Sequence, residues 1–208
     1  MNKVMNMNKE DVLKLEEELS FDHFDAEDAY CIGNEIVKKT SKPVRIRIVL
    51  DGDIVFQYLM PGKKGVEWLD RKQNTVEQYH HSTYYVFLDQ EERHVYDEND
   101  STIAICGGGF PLIIKGELRG CVIVSGLAHD EDHQLIINTL GEYKCETKIN
   151  QQAATGTHIR NSCSIKQSAN LSNRCSASST FLLPKRRKQH NPAATPATRF
   201  NRRKQLPY

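Results

Sequence analysis

The chain reads as an α+β protein, and three features carry that reading. Two antiparallel hairpins are written into it, one around Asp51-Gly52 and one around the connector from Lys115 to Gly120. Helical periodicity, with apolar residues at i, i+3, i+4 and i+7, comes before, between and after them. The order is helix, helix, hairpin, helix, hairpin, helix, which lacks the strand–helix alternation of a parallel doubly wound sheet.

Each element has a local reason. From Asp11 to Leu19, Val12, Leu15 and Leu19 form one stripe. Asp25 and Asp28 stand in a capping-box relation at the start of a second helix, whose apolar face is Ala29, Ile32, Ile36 and Val37. Gly33 within it costs about 1 kcal/mol against alanine unless close packing needs it, and Pro43 closes the helix. Val44, Ile46, Ile48 and Leu50 then alternate with Arg45, Arg47 and Val49 as a half-buried strand. Asp51-Gly52 is the strongest short hairpin signal, and Ile54 to Met60 is the return strand, ended by Pro61-Gly62. Val66 to Tyr79 turns helical again, with Trp68, Val76 and Tyr79 on one stripe. Ser82 can cap a further helix through Leu88, but TYYVFL is equally good strand sequence, and periodicity does not decide between them. His94 to Ser101 is a polar loop. Phe110 to Ile114 and Cys121 to Val124 are apolar, β-prone runs, and Ser125-Gly126 ends the second. Asp130, Glu131 and Asp132 open the last helix, where acidic groups suit the positive end of the macrodipole. On it His133 shares a face with Ile136, Ile137 and Leu140.

The formal charge of +1 over 208 residues hides a break. Residues 1–148 carry 27 acidic against 17 basic groups, and residues 149–208 carry 11 basic groups and no acid. Two regions follow: a globular unit over 1–148 and a basic, disordered tail over 149–208, poor in branched and aromatic residues. The tail's Lys185-Arg186-Arg187-Lys188 and Arg202-Arg203-Lys204 read as a nucleic-acid or anionic-surface arm, or as a solvated appendage or shifted reading frame. No apolar segment is long enough to span a membrane. The N-terminus lacks a signal-peptide apolar region, so the expected location is cytoplasmic. The six cysteines form no CxxC pair and are expected as free thiols.

The candidate chemistry is spread over three stretches. Lys72 lies on the same stripe as Trp68 and Val76, where it either snorkels to the surface or joins Arg71 to hold a carboxylate. His81, next to Ser82, is a metal ligand, a general base, or a histidine hydrogen-bonded at a helix junction. His133 follows acids that would orient its ring for a metal, or it packs beneath the sheet. Gly107, Gly108 and Gly109 either cradle an anion through backbone N–H groups or simply turn into a strand. Ser125 and Asp132 complete the set. No GxSxG elbow, phosphate loop or dinucleotide fingerprint is present, so these residues describe a small-anion site without naming a reaction.

Two blocks carry a resemblance. Trp68, Arg71, Lys72, Asn74 and Val76 lead to His81-Ser82-Thr83-Tyr84-Tyr85, and Gly107-Gly108-Gly109-Phe110-Pro111 leads to Ser125-Gly126-Leu127 and Glu131-Asp132-His133. In this order they resemble the small cytosolic branch of the haem-degrading-domain superfamily, the GlcG/HbpS-like proteins, over about residues 10 to 145. Cys106 stands where that branch commonly has a histidine. The resemblance implies a profilin-like domain, an antiparallel five-stranded sheet with helices on both faces, assembled into homo-oligomers. Some relatives bind haem or take part in its breakdown. The expectation is therefore a cytosolic binding protein that gathers His81, His133, Arg71 and Lys72 around one hollow for haem or a related small anionic ligand. The alternative is a protein-interaction scaffold without catalysis.

Overall fold

Both hairpins close on two-residue turns. Asp51 and Gly52 adopt φ of 54° and 87°, and Lys115 and Gly116 adopt 52° and 83°. Paired positive φ values give the turn whose twist matches that of the strands it joins. The connector read as Lys115 to Gly120 is thus only a dipeptide, and its remaining residues belong to the strand. The computed structural model describes residues 7–95 and 100–155. Its elements are α1 (Lys9–Glu18), α2 (Ala26–Lys39), β1 (Arg45–Leu50), β2 (Asp53–Leu59), α3 (Glu67–Tyr79), α4 (Thr83–Arg93), β3 (Gly109–Ile114), β4 (Glu117–Ser125) and α5 (His129–Thr155).

The strands form one antiparallel sheet in the order β2-β1-β4-β3. Among the described residues it has four strands, not the five that the resemblance implied. At the outer edge of β3 stands only a single parallel bridge, in which Phe21 N–H donates to Ile113 O at 2.8 Å and Lys115 N–H donates to Phe21 O at 2.9 Å. The bridge has no room to lengthen, because Asp25 already caps α2, accepting from the N–H groups of Glu27 and Asp28.

Helices cover both faces. Ile46, Ile48, Val122, Val124, Phe110 and Leu112 pack with Ile32, Ile36, Ile136 and Leu140 of α2 and α5. On the opposite face Val49, Cys121 and Ile123 pack with Leu69 and Val76 of α3. The alternation along β1 and β4 therefore feeds two cores. Close approach explains two glycines. A side chain at Gly33 would strike the Phe56 ring, and one at Gly120 would strike the Val49 carbonyl.

The ambiguous stretch after Ser82 is helix. Ser82 Oγ accepts from Tyr85 N–H at 3.2 Å as the N-cap of α4. Buried Thr83 and Val86 lie three residues apart, one helical turn, and turn inward together. At the other end α5 runs on to Thr155, past the boundary that composition set at 148. The basic tail beyond it lies outside the described residues. Among the described residues no helix is long and apolar enough to cross a membrane.

Candidate functional site

The end of β4, the glycine turn and the first turns of α5 meet around one buried ion pair. Lys72, 2% exposed, reaches from α3 to place Nζ 2.8 Å from Val124 O and 3.1 Å from Asp132 Oδ2. Asp132 is equally buried and also accepts from Gly126 N–H at 3.2 Å and Leu127 N–H at 3.0 Å. One carboxylate therefore closes the β4–α5 turn and neutralises the lysine. A desolvated pair holds only when its remaining polar atoms are satisfied, and here the backbone satisfies them. Neither reading of Lys72, as a snorkelling residue or as a cation facing a ligand, describes this placement.

The triple glycine lies against that pair. Gly108 has φ of 110°, and a side chain there would strike Lys72 Nζ and Val124 O. Gly109 leaves room for Thr83 and Val76, and Gly107 for the His129 carbonyl. Two of the three amides are engaged within the chain. Gly109 N–H donates to Thr83 Oγ1 at 2.9 Å and Gly107 N–H to His129 Nδ1 at 3.4 Å. Ser125, at the end of β4, is buried. Burial pushes the Cys106 thiol up, an effect that Lys72 partly offsets.

His133 lies deeper. Its ring is 0% exposed, stacked on Tyr84 at 4.7 Å between centroids and 6.0 Å from Phe110. Among the described residues neither ring nitrogen has a hydrogen-bond partner. Burial first, then His129 and Lys72, lower its pKa to about 3. The neighbouring acids do not orient it, since Asp132 serves Lys72 and Glu131 lies 3.4 Å from Lys42 Nζ.

His81 has the opposite surroundings. It follows His80, whose φ of 59° ends α3 in the left-handed conformation. Its Nδ1 is 2.8 Å from Oε2 of Glu16 on α1, and the other oxygen of that carboxylate accepts from Ser82 N–H at 2.7 Å. Glu16 is 4% exposed, whereas the His81 side chain is 38% exposed. The ring leans on Tyr85 at 4.4 Å. Among the described residues Nε2 of His81 has no hydrogen-bond partner. Glu16 was missed in the sequence because it sits in an acidic run that reads as a solvated face. The signal was present, however, because Glu16 is one turn from both Val12 and Leu19 on the buried stripe.

The residues singled out thus fall into separate groups. Lys72, Gly107, Gly108, Gly109, Ser125, Asp132 and His133 gather at the start of α5. His81 and Ser82 stand with Glu16 at the α3–α4 junction, and the two histidines share no hydrogen-bond partner. Arg71 is elsewhere again, with Nε donating to Ile103 O at 2.8 Å and its guanidinium 4.7 Å from the Trp68 ring centroid. Neither His81 nor His133 belongs to a group of three convergent His, Cys, Asp or Glu donors among the described residues. His23, Asp25 and Asp28 do form such a group at the start of α2, the first two exposed and Asp28 half-buried, where Asp25 already acts as the cap.

Comparison with known proteins places this architecture. Residues 21–140 match the family described as haem degrading protein HbpS-like. A UPF0303 protein of Brucella melitensis biotype 1 is 36% identical over 143 residues, covering 64% of this chain and 85% of that protein. A UPF0303 protein of Streptomyces avermitilis is 32% identical over 139 residues, 62% of this chain and 85% of its own. The crystal structure of the Ybr137w protein shares the fold, with a TM-score of 0.60 at 24% identity over 69% of this chain and 91% of that one. With the family match spanning the sheet, α2 to α4 and the first part of α5, the chain belongs to the HbpS-like haem degrading protein family.

Proposed function

We propose that this protein binds haem or a closely related metal-bearing small molecule, and that His81 supplies the protein ligand. The observation that carries the reading is the Glu16–His81 pair, 2.8 Å apart with the carboxylate buried and the imidazole half-open. A carboxylate accepting from Nδ1–H leaves the lone pair on Nε2 and fixes the ring's direction, an arrangement typical of histidines that bind metals. The family match favours haem as that molecule. If bound, haem would supply an iron, and His81 would be the residue to hold it.

His133 does not fit that role. Its nitrogens are sealed beneath Tyr84 and Phe110, so a flat macrocycle has no approach to them. Lys72 and Asp132 serve as the frame of the β4–α5 turn rather than as a clamp for an anion. Arg71, held by Ile103 and Trp68, keeps its terminal amino groups for a carboxylate.

The test is hemin titration of the full chain followed by absorbance. Wild type is expected to shift the Soret band at stoichiometric hemin, His81→Ala to lose that shift, and Glu16→Gln to weaken binding about 10–100-fold. His133→Phe is expected to leave the spectrum unchanged. No shift in wild type, or an unaltered one in His81→Ala, overturns the reading.

A further inference from the structure

A groove of about 360 Å³ lies between the end of α2 and the outer face of α5. That volume is in the range of small-molecule sites. The groove includes none of the candidate ligand-binding residues read from the sequence, and it shares no residue with the Glu16–His81 pair.

Its charges do not cancel. Lys39 Nζ is 2.8 Å from Glu142, and Lys42 Nζ is 3.4 Å from Glu131, so each lysine has a glutamate. The third acid of the groove, Asp130, has no cationic partner among the described residues. Its Oδ1 accepts only from the Glu131 N–H, at 3.0 Å. Beside it stand the edge of Tyr84 and an apolar wall from Leu127 and Leu135. A carboxylate that faces a partly enclosed hollow with aliphatic walls complements a cation carried on carbon. An anion would have to displace a glutamate from its lysine and then lie close to Asp130. A neutral molecule would leave Asp130 without a cationic partner in the groove.

We propose that this groove binds a small organic monocation, a primary ammonium on a short carbon body, with the ammonium on Asp130 and the carbons on Leu127 and Leu135. The site is distinct from the one at His81 and does not depend on haem.

The experiment is a backbone-amide NMR titration of the full chain with propylammonium chloride, with propanol and sodium propionate as controls. Propylammonium is expected to give saturable shifts centred on residues 130–135 in the millimolar range, and the two controls none. Asp130→Asn is expected to weaken binding about tenfold or more, the scale of a lost charge-assisted contact. Should that variant fail to fold, Leu135→Trp fills the groove from its apolar side and is expected to abolish the same shifts. The proposal is overturned by the absence of saturation with propylammonium, by an equal response to propionate or propanol, or by unchanged affinity in the folded variant.

Discussion

His81 and His133 are the same side chain in opposite surroundings, packed against the successive residues Tyr85 and Tyr84 of one helix. At the α3–α4 junction the imidazole keeps one nitrogen on a buried carboxylate and the other open. At the start of α5 the imidazole is stripped of water and of partners, and is held neutral. Residue type alone does not make a histidine a ligand; what matters is which of its nitrogens can still meet something. Helix α4 sends adjacent residues to different environments, so one imidazole becomes available for chemistry while the other becomes core.

The largest effect is expected where the frame around His133 is broken. Asp132→Ala leaves Lys72 as an unpaired buried charge and frees two backbone amides, so it should cost about 3–5 kcal/mol in urea unfolding. A loss under about 1 kcal/mol would mean that water reaches the pair, and the contrast between a dry and a wet histidine would weaken. Next comes the protonation of His133 itself. Its folded pKa of about 3 lies below the ordinary histidine value of 6.5, so between those values the unfolded chain binds a proton that the native state refuses. Stability is then present above pH 6.5 and falls as pH drops toward 3, with a slope of about 1.4 kcal/mol per unit from this one group. His133→Phe should remove that slope from the difference between variant and wild type, while changing neutral-pH stability little, because an unpartnered polar ring is replaced by an apolar one of similar shape. Identical pH profiles would show that His133 has a partner after all. The smallest effect belongs to the other side of the comparison. Ser82→Ala removes the cap of α4 and should cost about 1 kcal/mol by thermal unfolding. A hemin shift that survives in it would separate the cap from the ligand.

Local signals were read well wherever neighbours along the chain decide the outcome. Asp25 and Asp28 form the reciprocal cap that their spacing announced, and Asp51-Gly52 makes its turn. The stretch after Ser82 was undecidable because its residues suit both a strand and a helix, and only the Ser82 cap with burial of Thr83 and Val86, one turn apart, chose. The missing fifth strand has a similar cause. A bridge at Phe21 is visible only once β3 exists, and the cap at Asp25 then stops it.

The site was less legible than the fold. Lys72 was noticed for its position on an apolar stripe, but its partner Asp132 is 60 residues away in the chain. Glu16, which gives His81 its orientation, is 65 residues away from it. Contacts of that span leave no periodicity to read.

From the sequence alone came the α+β class, the hairpin turns, the helix caps and the family, because each rests on a few adjacent residues or on an ordered motif. Tertiary structure decided which histidine stays open, which lysine is neutralised and how many strands the sheet holds. Those outcomes depend on desolvation and on partners brought from distant segments, and a chain acquires both only when it packs.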